Sequence, residues 1–597
     1  MSAKSRLLVT LLLPLSSSLC HVPSTGAGNN SSQPCKATPG SASWPPEADW
    51  ARFNQSLGGV LLRPSPPGAV CHPGQPTYNA DQCATVATAW TTYDFHSNDP
   101  ISNMWNQYSN DSCLPNVTYP CSPAGYPAYA VNATTPEHIK LSFQYARKKN
   151  VRVVVKSTGH DYQGRSIAPG ALTIWIHHMQ GLQTHTSFQP KGCNFSIEGN
   201  AVTAAGATQM GTLYEELDKI NQTVVGGGGK TVAVGGFITG GGHSILAPRY
   251  GLAADQVLEI ELVTPTGEFV IANECQNQDL FWAMRGGGGS TFGVATSITM
   301  STHPSPKIVS LDIVFASYEI GAAWFWDMIG YMLSQYAYLD SKGISGYSFI
   351  YPNVSNSLDG GKTHVSAFVG SFILQDTQNT GDVQAIWKPM VDHIEAEWPQ
   401  TVHGNTSVAY ASFLDWYGPG GHFDQGTAGA DIYVASHLLN SGALTDPSAT
   451  LQAWKTFSSV GGSGNAYLVA GHGVNNAKPR GGGNAVGPAW RKALVHATNG
   501  IAFRPLDPAA RAKALVDVNA SVEPLRKLAP DMGAYVNENN PAEPDWRHSF
   551  WGDNYDRLRK IKRAVDPLDT LWCHPCVGNE RWKEVGYELC RVKGYEL

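Results

Sequence analysis

Residues 151–179 read VRVVVKSTGHDYQGRSIAPGALTIWIHHM. The run opens with β-branched residues at 151–155, breaks at Lys156-Ser157-Thr158-Gly159-His160-Asp161, and resumes as an apolar strand at 171–176. Strand, polar glycine-bearing turn and strand is the pattern of a loop that cradles an anion, because small residues let backbone N–H groups approach it. Ser157 and Thr158 add hydroxyl donors, and the turn holds one nucleophilic imidazole, His160. The combination predicts a ligand that is both cradled and covalently held.

Working outward, residues 136–150 read as a helix, with Pro136 in its first turn and lysines in its last. Ile197 and 201–204 read as short strands, and Met210, Leu213, Leu217 and Ile220 have helical spacing. At 224–231 the chain reads VVGGGGKT, which misses the nucleotide P-loop because Val224 stands where its first glycine belongs. Further glycines follow at 235, 236, 240, 241 and 242, alternating with Val and Ile and leading into a hairpin, 257–263 with 268–271. That setting favours an ordered backbone against a ligand over a flexible loop. Residues 279–289, DLFWAMRGGGG, read as a short helix with a glycine stop, and a strand starts again at Phe292-Gly293-Val294.

These motifs resemble the vanillyl-alcohol-oxidase superfamily in its berberine-bridge-enzyme-like branch. KSTGHDYQG is similar to the family's R/K-S-G-G-H-D-Y-x-G, departing at Thr158, and His160 falls on the histidine bonded to the flavin 8α-methyl. Residues 224–242 are similar to the second flavin-cradling segment, and 279–289 to the D-L-F-W-A-x-x-G-G-G-G signature. In the tail, Tyr535-Val536-Asn537 resembles the family's Y-x-N segment and 554–562 its N-Y-x-R-L-x-x-I-K helix. GGGHS and WCxxCVG also resemble fungal isoamyl-alcohol-oxidase-like proteins. The resemblance implies an α+β fold: a two-part FAD-binding domain of the PCMH type, built from N- and C-terminal segments, with an inserted α+β substrate domain. The expected layout is a signal peptide at 1–27, an irregular cysteine-containing extension at 28–115, the FAD-binding domain at 116–303, the substrate-binding domain at 304–532 and a return to the FAD domain at 533–597.

The implied cofactor is FAD, held by Lys156, Ser157, Thr158, Gly159, Asp161, Ser166, Gly229, Lys230, Thr231, Gly235, Gly236, Gly240, Gly241, Val294, Tyr535 and Asn537. Doubly attached members carry a cysteine where Gly229 stands, so a single covalent bond through His160 is expected. Small residues at Gly228 and Gly229 leave room near the ring for oxygen. Residues 465–478 contain no Asp or Glu, although the branch places a carboxylate base on that strand. Tyr535, Asn537 and His243 are the candidate catalytic residues, with His472 an alternative. A tyrosine of ordinary pKa, near 10, needs a cationic or flavin-linked neighbour to act as a base, so Tyr535 is either that base or a group that packs on the ring and orients substrate.

Composition sets the bounds. At 597 residues two or more domains are expected. Net charge is −6 with no basic run, which argues against a nucleic-acid partner. Between 304 and 532 helical patterns at 318–333, 383–397, 447–457 and 509–528 alternate with strands at 347–351, 364–374 and 467–470, as in a sheet covered on one side. Lys4 and Arg6, the apolar run 7–13, Pro14 and a small polar stretch to 28 read as a secretory signal, and no stretch is long enough to span a membrane. Eleven sequons (Asn29, Asn30, Asn54, Asn110, Asn116, Asn132, Asn194, Asn221, Asn353, Asn405 and Asn519) suit a secreted glycoprotein. Of eleven cysteines, Cys20 falls in the signal region and ten allow five bridges; Cys71–Cys83 and Cys113–Cys121 are expected as local closures. Cys573 and Cys576 pair with each other or with Cys590 rather than holding a metal, and no metal site is expected. The function expected is a secreted, monomeric oxidase that passes a hydride from an alcohol, carbohydrate or phenolic donor to FAD and on to oxygen, giving peroxide. The alternatives are an oxidative cyclase or dehydrogenase of secondary metabolism, and a secreted glycoprotein that keeps the fold without turnover.

Overall fold

The computed structural model describes residues 35–356, 361–418 and 428–594. The predicted signal peptide, Cys20, Asn29 and Asn30 lie outside the described residues.

The central stretch builds the edge of a four-stranded sheet: β1 (Leu61–Leu62), β2 (Tyr129–Asn132), β3 (Val153–Lys156) and β4 (Leu172–Trp175), in the order β1-β2-β4-β3. β3 and β4 are parallel, with Val153 opposite Leu172 and Lys156 opposite Trp175. Residues 157–171 are therefore a crossover and not a hairpin turn. Their first residues stand at the carboxyl end of β3, where open parallel sheets bind ligands. The helix before β3, Pro136–Lys149, has Pro136 in its first turn and Thr135 at its N-cap, and Asn150 ends it in the left-handed region at φ 52°. Its Ile139, Phe143 and Ala146 are buried in one core with Val153, Leu172 and Ile174.

A second, antiparallel sheet follows: β5 (Leu182–Phe188), β6 (Ile197–Ala205), β7 (Val257–Val263), β8 (Phe269–Asn273) and β9 (Val294–Ser301), ordered β5-β6-β9-β7-β8. The third is seven-stranded: β10 (Ile308–Ser317), β11 (Ile344–Ser355), β12 (His364–Gln375), β13 (Val402–Tyr410), β14 (Ile432–Leu439), β15 (Gly464–Leu468) and β16 (Val495–Ala502), ordered β13-β10-β12-β11-β15-β16-β14. Helices Ala323–Ser334, Thr380–Glu397, Pro447–Gly461 and Pro508–Leu528 pack on it. Strand alternation divides its two faces. On β11, Tyr347, Phe349 and Tyr351 face an open cleft, whereas Ser348 and Ile350 are fully buried and Ser348 meets the helical Tyr336 hydroxyl at 2.6 Å.

The tail closes the molecule. Helix Tyr555–Val565 sets Lys562 beside Asp566 at 2.6 Å, both buried, and the ammonium also donates to the carbonyls of Thr291 and Leu571 at 2.8 Å each. Trp551 donates to the carbonyl of Gly286 at 3.0 Å. The bridges are Cys71–Cys83 and Cys113–Cys121, as expected, with Cys573–Cys576, Cys193–Cys275 and Cys35–Cys590.

Two expectations change. The extension before residue 115 is not irregular: Glu47–Ser56, Ala80–Ala89 and Tyr93–Asn98 are helices, started at the last two by Asn79 and Thr92, whose side chains accept from Gln82 and Phe95. The Pro, Ser and Asn content that reads as loop includes these caps. β10, β13, β14 and β16 were absent from the strand pattern expected from sequence. No described helix is long and apolar enough to cross a membrane.

Candidate functional site

A cleft of about 900 Å³ opens between the crossover after β3, the glycine segments and the inner face of the seven-stranded sheet. Ser157, Thr158, Gly159, His160, Asp161 and Ser166 line it on one side. Gly159 has φ 90°, a conformation that a side chain would strain, and this turns the chain so that His160 faces the cleft. The His160 Nε2 shares a 2.6 Å hydrogen bond with the Thr231 hydroxyl, and its ring lies 4.9 Å from that of Tyr93. Burial pushes its pKa down to about 3, with Lys156 adding to the effect and Asp94 opposing it. The imidazole is therefore neutral at physiological pH, as a nucleophilic nitrogen must be.

Gly229, Gly235, Gly236 and Val294 also line the cleft, as do Gly227, Gly228, Gly288 and Gly289. Four expected contacts lie elsewhere. The Lys156 side chain points away from the cleft and donates to the carbonyls of His96 (3.0 Å), Ser97 (3.4 Å) and Asp99 (2.7 Å), because it faces the opposite side of β3 from Ser157. Lys230 pairs at 2.8 Å with Asp94 near the surface. Gly240 lies behind the wall: a Cβ there would stand 2.1 Å from the Asn537 amide, so its absence lets Asn537 approach. Gly241, at φ 116°, lies behind the wall as well.

The tail supplies the far wall. Asn537 donates to the Tyr535 hydroxyl at 3.0 Å and accepts from Arg165 at 3.2 Å. Arg165 is clamped on Asp161 at 2.5 Å, while its Nη1, facing Gly288, is buried without a partner. Tyr535 also accepts from the Gly242 N–H at 3.2 Å. Burial and the neighbouring Glu538 raise its pKa above the ordinary phenol range, so it is a protonated donor rather than a base.

Sequence reasoning missed Glu538. Its Oε1 accepts from His243 Nε2 and its Oε2 from His496 Nε2, both at 2.9 Å. Burial opposes the charge, but the two imidazoles together outweigh it and hold the carboxyl below the usual range. β15 offers Asn465 and Tyr467 to the cleft and no carboxylate, as its sequence requires. The carboxylate arrives instead from the residue after the Y-x-N segment. An acidic residue directly following that motif was the available signal. His472 lies outside the cleft, beside Asp340 and Asn476.

The wall residues fit a dinucleotide: glycines leave backbone open to a flat ligand, and a buried guanidinium N–H awaits an acceptor. The architecture and this cleft define an FAD-linked oxidoreductase, and the chain belongs to the vanillyl-alcohol-oxidase and berberine-bridge-like family of them. Residues 127–273 match the FAD binding domain model and 534–577 the berberine and berberine-like model. The chain is 32% identical over 579 residues to the FAD-linked oxidoreductase apf9 of Gibberella fujikuroi, covering 94% of this chain and 97% of that one. It is 31% identical to the bifunctional decalin synthase calF of Penicillium decumbens, covering 96% and 98%. The crystal structure of the VAO-type flavoprotein MtVAO713 from Myceliophthora thermophila C1 superposes with a TM-score of 0.86 at 29% identity, covering 94% of this chain and all of that one.

Proposed function

We propose that this protein is a secreted oxidase with FAD tied to His160, taking a hydride from an alcohol, carbohydrate or phenolic donor and passing the electrons to oxygen as peroxide. The observation that carries the reading is His160 itself: a neutral imidazole on the crossover loop, aimed into a glycine-walled cleft and braced by Thr231. Glycines 227–229 stand where a second, sulfur tether would come from, and no cysteine lines the cleft among the described residues, which supports one bond. Ser157, Thr158 and the backbone of Gly159 would hold the phosphates, and Asn537 and Arg165 would face the ring. FAD supplies the two-electron acceptor. Tyr347, Tyr467 and Tyr535 would orient the donor from the opposite wall. The signal-like run at 4–28 and the eleven sequons support a secreted, glycosylated protein, which this reading takes to be a monomer.

The test is acid precipitation of flavin-replete protein. Wild type should give a yellow pellet, and His160→Ala should release its flavin to the supernatant. A colourless wild-type pellet would remove the tether. Peroxide release across alcohols, sugars and phenols then tests the oxidase step. A second reading, an oxidative cyclase, is favoured by the likeness to a decalin synthase and by the aromatic cleft. It predicts a rearranged carbon skeleton in the product, which mass spectrometry with NMR would reveal.

A further inference from the structure

We infer that Glu538 is the general base of the donor-oxidising step, with His243 and His496 as the positioning residues that hold its carboxylate. This rests on the oxidase reading above. The ionisable side chains that line the cleft leave no better acceptor. Tyr162, Tyr347, Tyr351, Tyr467 and Tyr535 are protonated phenols, each raised by burial first, and Tyr93 packs against the His160 ring. Asp161 is neutralised by Arg165. His160 is braced by Thr231 as the tether. His243 directs its Nε2 at Glu538, and its Nδ1 is buried away from solvent without a partner. Glu538 remains, with 26% of its side chain open to the cleft.

The surroundings explain why two imidazoles converge on one carboxylate. Facing His243 and Glu538 are the rings of Tyr347, Tyr467, Trp490 and Tyr535, with His496 the other titratable neighbour. An isolated carboxyl in that aromatic wall would protonate and lose its lone pairs as bases. One Nε2–H on each oxygen keeps it ionised and fixes its plane, while each oxygen retains a lone pair for substrate. In the step, the donor O–H breaks and its proton goes to a Glu538 oxygen. Oxidised FAD, when bound, would take the hydride with the electron pair of the broken C–H bond, so that C–O becomes C=O. The proton returns to solvent with product release.

The experiment uses the holoenzyme. In anaerobic stopped flow with a donor that yields peroxide, Glu538→Gln should slow flavin reduction about 10²- to 10⁴-fold, while dithionite reduces it as fast as wild type. His243→Asn and His496→Asn each remove one donor, so the acid limb of the reduction rate should move to higher pH; a purely structural role would not move it. Glu538→Gln reducing at the wild-type rate, or an unmoved acid limb in both histidine variants, would overturn the assignment. A second readout needs no turnover. Infrared difference spectra at about pH 5, above the ordinary glutamate pKa of about 4.3, should show no protonated-carboxyl band assignable to Glu538 in wild type, and one in the double histidine variant. A Glu538-dependent band in wild type at that pH, or a stoichiometric metal lost with Glu538→Gln, would sink it. If no donor reduces the flavin at all, the oxidase reading fails, and the infrared result still decides the state of Glu538.

Discussion

Asn537 and Glu538 are sequence neighbours with opposite tasks. The first ties Arg165 to Tyr535, and the second gathers His243 and His496. Histidines also set the acid behaviour of the fold. His96 and His437 are buried and neutral: each donates its Nε2–H to a carbonyl, Trp90 at 2.7 Å and Ala529 at 3.0 Å. Burial pushes both to about 4, the carbonyl contacts opposing it. Their folded pKa lies below the ordinary 6.5, so the unfolded chain binds more protons between about pH 6.5 and 4, and stability falls as pH drops through that window. Each contributes a slope of about 1.4 kcal/mol per pH unit. Denaturant melts from pH 7 to 4 should show it, and His437→Gln should flatten the slope by about one proton.

At the scale of elements, a buried pair at the end of one helix helps to hold the return of the tail. Lys562 and Asp566 lie one turn apart at the end of helix Tyr555–Val565, and the lysine reaches the Thr291 and Leu571 carbonyls. Lys562→Met leaves the Asp566 carboxylate without its cation, which is expected to destabilise by about 3–5 kcal/mol. Thermal melts would check it, and flavin retention should fall in parallel because Thr291 leads directly from the glycines at 288 and 289. The helix was legible through its likeness to the family's N-Y-x-R-L-x-x-I-K segment. β10, β13, β14 and β16 were not. β13 is a sheet edge with little burial, and β14 is buried along almost its whole length, so neither shows the strict alternation that marks a half-buried strand.

For the whole molecule, the Cys35–Cys590 bridge joins residues 555 apart and fastens the extension to the tail. The extension proves to be part of the site, because Tyr93 and Trp105 reach the cleft. The proposed secretion carries a prediction about glycans. Asn116, Asn194, Asn221, Asn353 and Asn405 are exposed. Asn519 lies inside helix Pro508–Leu528, its amide donating to the Leu515 carbonyl at 3.0 Å and to Asn540 at 3.3 Å. Glycopeptide mapping of protein secreted by a eukaryotic host should find the first group occupied and Asn519 bare.

The sequence by itself determined the family, the FAD cleft segments and the place of His160, because these rest on local rules: glycines where backbone must come close, and an imidazole in a turn after a strand. Two of the five bridges were also legible, since short separations leave few partners. Only the tertiary structure decided which side chains meet across the cleft. Lys156 turned inward to three carbonyls because strand alternation sets it opposite Ser157. Glu538 found two imidazoles that stand 295 and 42 residues away. A charge pairing over such distances leaves no periodicity in the chain, so it is fixed by packing alone.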